Sequence, residues 1–164
     1  MLSMLAAIWL LTSSVALAQT ASPGEAERIA RAYVAAYSAA NWDGMAQYMA
    51  EDFVLIDRTN PDPSFAPEYR SREAALAMLR RFGTEGGIIE LGFEFPVVFE
   101  SNGIVVFQGH VNTFGAPPGR DFAYRWRAQQ VTVLTIRNGR VARHEDFANY
   151  AAPTVTRVPR PSTP

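Results

Sequence analysis

The spacing of apolar residues changes at Ile88, and this change constrains the fold more than any other feature. Before Ile88, apolar residues recur at helical spacing. After it, the chain predicts four long strands, over Ile88–Glu100, Ile104–Phe114, Phe122–Ile136 and Arg140–Tyr150. Asn138-Gly139 predicts a type I′ hairpin turn, because both central positions of that turn need positive φ. Helices followed by an antiparallel meander predict an α+β fold in a single domain.

The first half of the chain predicts three helices and one short strand. Ser22-Pro23-Gly24-Glu25 reads as a capping box that opens a first helix running to about Ala40. Asn41 caps a second helix, from Trp42 to about Ala50, and Phe53–Asp57 is a short buried strand. Prolines make 58–70 a loop, after which Ser71 caps a third helix that ends near Phe82.

The two ends of the chain are predicted to lie outside this domain. Residues 1–18 are apolar, carry no charge and end in Ala-Leu-Ala, which is typical of a secretory signal cleaved before Gln19. A membrane anchor is the alternative, although polar residues interrupt the stretch. The sequence thus predicts an exported protein, periplasmic or secreted, with its domain over 19–152. The proline-rich tail, 153–164, is predicted to be disordered.

Composition removes several classes of chemistry. The chain has no cysteine, and all fifteen of its basic residues are arginine, so thiol nucleophiles and lysine Schiff bases are excluded. A formal net charge of −1 with interspersed signs argues against a nucleic-acid partner. The two histidines, His110 and His144, have no metal-ligand spacing, so we expect no metal and no other cofactor.

The segment YVAAY followed by NWDGMAQYMAEDFVLID resembles the bacterial ketosteroid isomerases, within the SnoaL-like branch of the nuclear transport factor 2-like superfamily. The resemblance spans about 25–150. It implies three N-terminal helices packed on a curved antiparallel sheet, forming a cone-like half barrel with an internal cavity. It also implies that Tyr33 is an oxyanion donor and Asp57 a proton shuttle. The penultimate strand, where the isomerases carry a second donor acid, here reads Gln129-Gln130-Val131-Thr132-Val133.

Asp57 and Tyr33 are the first candidates for catalysis. A carboxylate that ends an apolar strand is partly desolvated and suits a general base, but it could equally cap the loop that follows. Tyr33 could donate a hydrogen bond to a ligand, or could be a core tyrosine bonded within the protein. Tyr37 lies one turn further along the same helix face and is either packing or part of a ligand site.

Residues on the later strands are the second group of candidates. His110 and Asn112 share a strand face with Ile104, Val106 and Phe114, which favours the inner side of the sheet, and a structural histidine is the alternative. His144 and Asp146 share one face of the last strand, so Asp146 is either inside as a second carboxylate or in solvent. Trp126 is predicted to face inward between two outward arginines, and Phe65 and Tyr69 to shape the cavity mouth.

Two functions of different class follow from these residues. The first is a cofactor-independent enzyme of the isomerase, dehydratase or cyclase type, acting on a small apolar or polyketide-like molecule. Its catalytic residues would be Asp57, Tyr33, His110 and Asp146, and its ligand would contact Tyr37, Phe65, Tyr69, Asn112, Trp126 and His144. The second is a module of the same fold that binds a small ligand without catalysis, or that forms a homodimer through its sheet.

Overall fold

The structure is a computed structural model that describes residues 24–63 and 65–160. The predicted signal segment, Ser22 and Pro23 therefore lie outside the described residues. The helices are α1 (Glu25–Ser38), α2 (Trp42–Ala46) and α3 (Arg72–Glu85). The strands are β1 (Met49–Asp57), β2 (Glu68–Arg70), β3 (Ile88–Ser101), β4 (Ile104–Gly115), β5 (Phe122–Arg137), β6 (Arg140–Ala148) and β7 (Thr154–Pro159).

Local capping sets where the helices begin. The Asn41 side chain accepts a hydrogen bond from the Gly44 amide at 2.9 Å, and Ser71 does the same for Ala74 at 3.1 Å, as expected for N-caps. α1 differs from the prediction, since its N-cap is Gly24, with φ of 79° and no side-chain cap. The predicted cap at Ser22 is therefore wrong by two residues.

The sheet confirms the α+β prediction, with one difference in strand direction. The strand order is β2-β1-β6-β5-β4-β3, and the hairpin turn has positive φ at Asn138 and Gly139 (53° and 68°), as predicted. β1 pairs with β6 in parallel, however, so the open, curved sheet is mixed and not wholly antiparallel. The register of this parallel pair sets Asp57 beside Asp146.

The tail is partly ordered, which contradicts the predicted disorder over 154–159. β6 covers only the Gln130–Arg137 half of β5 on one edge, which leaves the Phe122–Arg127 half of that edge open. β7 pairs antiparallel with that open half, and Arg160 donates to the carbonyls of Pro117 and Arg120 at 2.9 and 2.8 Å. A strand edge with unpaired amides and carbonyls binds an extended segment readily, which explains the order of this proline-containing stretch.

The core lies between the helices and the concave side of the sheet. α1 packs on β3 to β6 and buries Ala26, Ile29, Ala30 and Tyr33. α3 packs on β1 and β3 through Ala75, Leu76 and Leu79. The opposite side of the sheet leaves several large apolar side chains exposed, among them Val97, Phe99 and Phe147. The homodimer through the sheet stays a prediction. Among the described residues, no helix has both the length and the apolar character needed to cross a membrane.

Candidate active site

A cavity of about 370 Å³ opens beyond the core, between α1, α3, the loop after β1 and the inner face of the sheet. Three aspartates, two polar residues of β4 and β5 and eight aromatic side chains share its wall with aliphatic residues. The lining residues that concern the chemistry are Tyr37, Asp57, Trp126, Gln130, Asp146 and Tyr150. This volume is within the range of small-molecule sites.

Asp146 is a cavity carboxylate whose two oxygens have different environments. Oδ1 accepts hydrogen bonds from Thr132 Oγ1 at 2.5 Å and from Gln130 Nε2 at 2.8 Å. Both donors lie on β5, on the strand segment where the isomerases carry an acid. Oδ2 accepts no hydrogen bond from the described part of the chain. Asp146 is thus oriented by one oxygen and presents the other for chemistry, and its predicted inward position is correct.

His144 and Tyr33 lie directly behind Asp146, outside the cavity wall. The His144 side chain is 1% exposed, and its Nδ1 is 2.8 Å from the Tyr33 hydroxyl. Its Nε2 is 3.0 Å from Asp146 Oδ1, but in a direction that makes no hydrogen bond. A carboxylate at this distance favours the proton on Nε2, so Nδ1 accepts from Tyr33. Tyr33 is therefore part of a hydrogen bond within the core, and neither Tyr33 nor His144 lines the cavity.

Asp57 both caps the loop after β1 and lines the cavity, which are the two roles that its sequence position allowed. Oδ1 accepts from the amides of Thr59 and Asn60 at 3.2 and 3.0 Å, which caps the turn after β1. Oδ2 accepts from the Tyr150 hydroxyl at 2.7 Å inside the cavity. Burial and this hydrogen bond to Asp57 both raise the pKa of Tyr150. Asp57 is therefore in the cavity, but both of its oxygens are already bonded within the protein.

Tyr37 presents its hydroxyl to the cavity without a hydrogen-bond partner among the described residues. Burial raises the pKa of Tyr37, and the charges of Asp146 and then Asp57 raise it further. The hydroxyl hence stays protonated and available as a donor. Its ring packs edge-on against His144 with centroids 5.7 Å apart, which fixes its direction. Tyr37, and not Tyr33, is the phenol that shares a cavity with the carboxylates.

The mouth of the cavity agrees with the sequence prediction. Phe65 and Tyr69 both line it, and Phe65 packs edge-on against Phe82 of α3 with centroids 6.0 Å apart. The Tyr69 hydroxyl accepts from the Ala66 amide at 3.1 Å, which holds the proline-rich loop in place. Trp126 faces inward, as predicted, and packs against Tyr150 with centroids 5.7 Å apart.

His110 and Asn112 lie on the outer face of the sheet, so their predicted inward orientation is wrong. On β4 it is Val105, Phe107, Val111 and Thr113 that are buried. Asn112 Nδ2 donates to Glu94 at 3.0 Å, and Arg127 donates to both Glu94 and Asn112, at 2.8 and 2.7 Å. This cross-strand polar network occupies the outer side. Neither His110 nor Asn112 can contact a ligand in the cavity.

Three contributors to the site were missed in the sequence: Gln130, Thr132 and Tyr150. For the first two, the signal was their shared parity on a strand otherwise apolar at that parity. In the structure Thr132 is the register partner of Asp146, and Gln130 is the partner of Ala148. Tyr150 carries no such signal, because it follows the end of β6. Within the described ranges, no group of three or more His, Asp or Glu residues is arranged to hold a metal ion.

Comparison with known proteins shows the family of this fold. A family model for the SnoaL-like domain matches residues 30–144, which is most of the chain, and the chain belongs to this family of the nuclear transport factor 2-like fold. A comparison with curated proteins found no match.

Several solved structures have this fold. A candidate SnoaL-like polyketide cyclase from Shewanella denitrificans is 21% identical, with a TM-score of 0.68 over 78% of this chain and 93% of that one. An epoxide hydrolase of the LEH-like type from M. tuberculosis is 16% identical, with a TM-score of 0.60 over 77% and 84%. A protein of ketosteroid isomerase-like fold from Catenulispora acidiphila, in complex with trimethylamine, is 17% identical, with a TM-score of 0.56 over 73% and 83%.

Proposed function

We propose that the cavity is an acid–base active site that acts, without a cofactor, on a small and largely apolar molecule bearing a carbonyl group, such as a polyketide-like compound. One observation carries the proposal. Asp146 and Tyr37 line the same mostly apolar cavity, and neither Asp146 Oδ2 nor the Tyr37 hydroxyl has a hydrogen-bond partner in the described chain. A free carboxylate oxygen and a free phenol are the two groups that enolisation needs.

The chemistry follows from these two groups. Asp146 Oδ2 accepts a proton from the carbon next to the carbonyl, and the C–H electron pair becomes the enolate π bond while the carbonyl oxygen gains the charge. The Tyr37 O–H donates a hydrogen bond to that oxygen. Asp146 then returns the proton to another carbon in an isomerisation, or to a leaving hydroxyl in a dehydration. In a cyclisation the enolate carbon attacks a second carbonyl, whose oxygen takes the proton.

The resemblance implied that Asp57 is the proton shuttle and Tyr33 the oxyanion donor. We assign these roles to Asp146 and Tyr37 instead. Asp57 is bonded at both oxygens, so we assign it and Tyr150 to shaping the cavity floor. Tyr33 holds His144, which lies against Asp146. The base therefore comes from β6 and the donor from one turn further along α1.

The test uses 2-tetralone, a compact aromatic ketone, as the probe. In D₂O its α-protons exchange slowly in buffer, and we expect the protein to accelerate the exchange followed by ¹H NMR. Asp146→Asn should reduce the accelerated rate about 10²–10⁴-fold because it removes the base. Tyr37→Phe should reduce it by about 10²–10³-fold because it removes the oxyanion donor.

Asp52→Asn is the matched control, since Asp52 is an exposed β1 carboxylate paired with Arg137 on the surface. Its exchange rate should equal that of the wild type. A wild-type protein that leaves the buffer rate unchanged would count against carbonyl enolisation. Full exchange in Asp146→Asn would exclude Asp146 as the base.

A ligand-binding module without catalysis is the second candidate. It is favoured by Asp57, whose oxygens are both satisfied within the protein, and by the trimethylamine complex of the Catenulispora protein, which shows that this fold can hold a small molecule. Probe binding that shifts cavity resonances without any gain in exchange would support this candidate.

We also propose that the protein is exported after cleavage before Gln19, on the basis of the apolar, uncharged segment 1–18. The intact mass of material recovered outside the cytoplasm should correspond to a chain that begins at Gln19. Exported material that still begins at Met1 would contradict cleavage.

A further inference from the structure

The charged side chains in the described lining of the cavity are all acidic. Asp57, Asp62 and Asp146 line the cavity, whereas the described part of its lining includes no arginine and no histidine. Asp57 and Asp146 are register partners on adjacent strands, so two carboxylates lie side by side at the floor. Their protein partners there are neutral hydroxyl and amide groups of Tyr150, Thr132 and Gln130. An empty cavity of this kind has a negative potential.

The nearby cations lie outside the wall and have other partners. Arg81 lies over the Phe65 ring, with its guanidinium carbon 5.4 Å from the ring centroid, and pairs with Glu85 at 3.6 Å. Arg58 and Arg143 both pair with Glu145, whose side chain belongs to the opposite face of β6. His144 contacts Asp146 Oδ1 from behind and leaves Oδ2 to the cavity. These arginines and the His144 ring therefore do not offset the charge seen by a ligand.

The rest of the wall is aromatic. Eight aromatic side chains line the cavity; Tyr37 and Tyr150 interact with the carboxylates, and Trp126 packs against Tyr150. The face of an aromatic ring carries partial negative charge and attracts ammonium groups, most strongly where water is excluded. The carboxylates and the ring faces therefore both favour a positively charged ligand.

We propose that the ligand of this cavity carries a protonated or quaternary amine, which binds beside Asp57 and against the rings of Trp126 and Tyr150. The proposal rests on the proposed function and narrows its substrate class to amine-bearing carbonyl compounds. A carboxylate or phosphate ligand would be repelled by two aspartates in a medium of low dielectric constant, so anionic ligands are excluded.

A cationic substrate also resolves an electrostatic difficulty of the reaction. Enolisation creates negative charge in a cavity that already holds carboxylates, and the described lining offers neutral donors such as the Tyr37 hydroxyl but no cationic side chain to stabilise it. An ammonium group on the substrate offsets the charge of Asp57, and Asp146 becomes neutral when it takes the proton. The substrate thus supplies the positive charge that the protein lacks at this place.

The experiment compares three probes of nearly equal size at neutral pH: benzylammonium, benzyl alcohol and benzoate. Binding to the full-length protein is followed by chemical-shift changes in two-dimensional NMR spectra. We expect benzylammonium to bind about tenfold more tightly than benzyl alcohol, with benzoate the weakest. Asp57→Asn should remove most of the difference between the first two probes, and Asp52→Asn should leave it unchanged.

Equal affinity for benzylammonium and benzyl alcohol, tighter binding of benzoate, or no binding of benzylammonium would each overturn the proposal. If Asp57→Asn fails to fold, Asp146→Asn provides the second carboxylate removal, and a retained cation preference in every folded variant is also a negative result. Failure of the proposed function has a different signature. In that case benzylammonium still binds preferentially, whereas α-proton exchange is accelerated neither for 2-tetralone nor for the amine-bearing ketone 1-methyl-4-piperidone.

Discussion

Tyr33 and Tyr37 lie one helical turn apart on the same face of α1, yet the structure gives them different tasks. The Tyr33 hydroxyl is bonded to His144 in the core, and the Tyr37 hydroxyl has no partner among the described residues and lines the cavity. Burial raises the pKa of both phenols. The difference arises because Tyr33 lies against His144 in the core, whereas the cavity begins beside the next turn of α1, which carries Tyr37.

Phenylalanine substitutions should separate these two tasks. Tyr33→Phe leaves Nδ1 of a buried histidine without a donor, so we expect the free energy of unfolding to fall by about 1–3 kcal/mol. Tyr37→Phe removes no hydrogen bond within the described chain and should change stability by less than about 0.5 kcal/mol. Urea denaturation measures both. A larger loss in Tyr37→Phe than in Tyr33→Phe would contradict the assignment.

At the residue scale, the sequence predicted the identity of the site residues better than their direction. Asp57, Asp146, Trp126 and Tyr37 do line one cavity. His110 and Asn112 were misplaced because Ile104 to Phe107 is apolar at both parities, so alternation could not choose a face. The cross-strand contacts of Asn112 with Glu94 and Arg127 decide it, and those need the register of three strands.

At the scale of elements, β7 is the part of the fold that completes an edge. Without it, the Phe122–Arg127 half of β5 would expose unpaired amides and carbonyls on that side. Tyr150 lies in the short connection between β6 and β7, so both strands anchor the segment that carries its hydroxyl to Asp57. β7 therefore supports the cavity floor as well as the sheet.

Deletion of residues 154–164 should expose this edge. We expect a lower urea midpoint and concentration-dependent self-association, measured by sedimentation velocity, because an open strand edge pairs with other chains. Deletion of 161–164 alone is the control, since it retains β7 and Arg160. A monomeric 154–164 deletion with the stability of the full chain would show that β7 contributes nothing to the fold.

The elements themselves were largely predictable, and the exceptions have physical causes. The strands over 88–148 follow strong alternating patterns and tight turns, so their bounds agree with the structure within two residues. β1 starts four residues before the prediction, at Met49, where its polar residues Glu51 and Asp52 break the apolar run. The parallel pairing of β1 with β6 joins distant parts of the chain, and no local pattern reveals it.

At the scale of the whole molecule, the buried phenols should determine the alkaline limit of stability. Burial raises the pKa of Tyr33, Tyr37 and Tyr150 above the ordinary value of 10.0. The sequence has no lysine and no cysteine, so tyrosine is the side chain that titrates near this pH. Above pH 10 the unfolded chain loses these protons while the folded chain keeps them, which favours unfolding.

The free energy of unfolding should hence be insensitive to these groups below about pH 10. Above it, the free energy should fall by about 1.4 kcal/mol per pH unit for each tyrosine that remains protonated in the folded state. Urea titrations at several alkaline pH values measure the slope. Tyr33→Phe should make the slope shallower, and an unchanged slope in that variant would contradict the contribution of Tyr33.

The parallel pairing of β1 with β6 has one further consequence. Because Asp57 and Asp146 are register partners, backbone hydrogen bonding between neighbouring strands, about 4.8 Å apart, sets how far apart the two acids are anchored. On the opposite wall, Phe65 belongs to the loop between β1 and β2, which can change length without disturbing the ladder. Changes in the sequence or length of this loop could therefore alter which ligand the cavity accepts, while the spacing of the two aspartates stays the same.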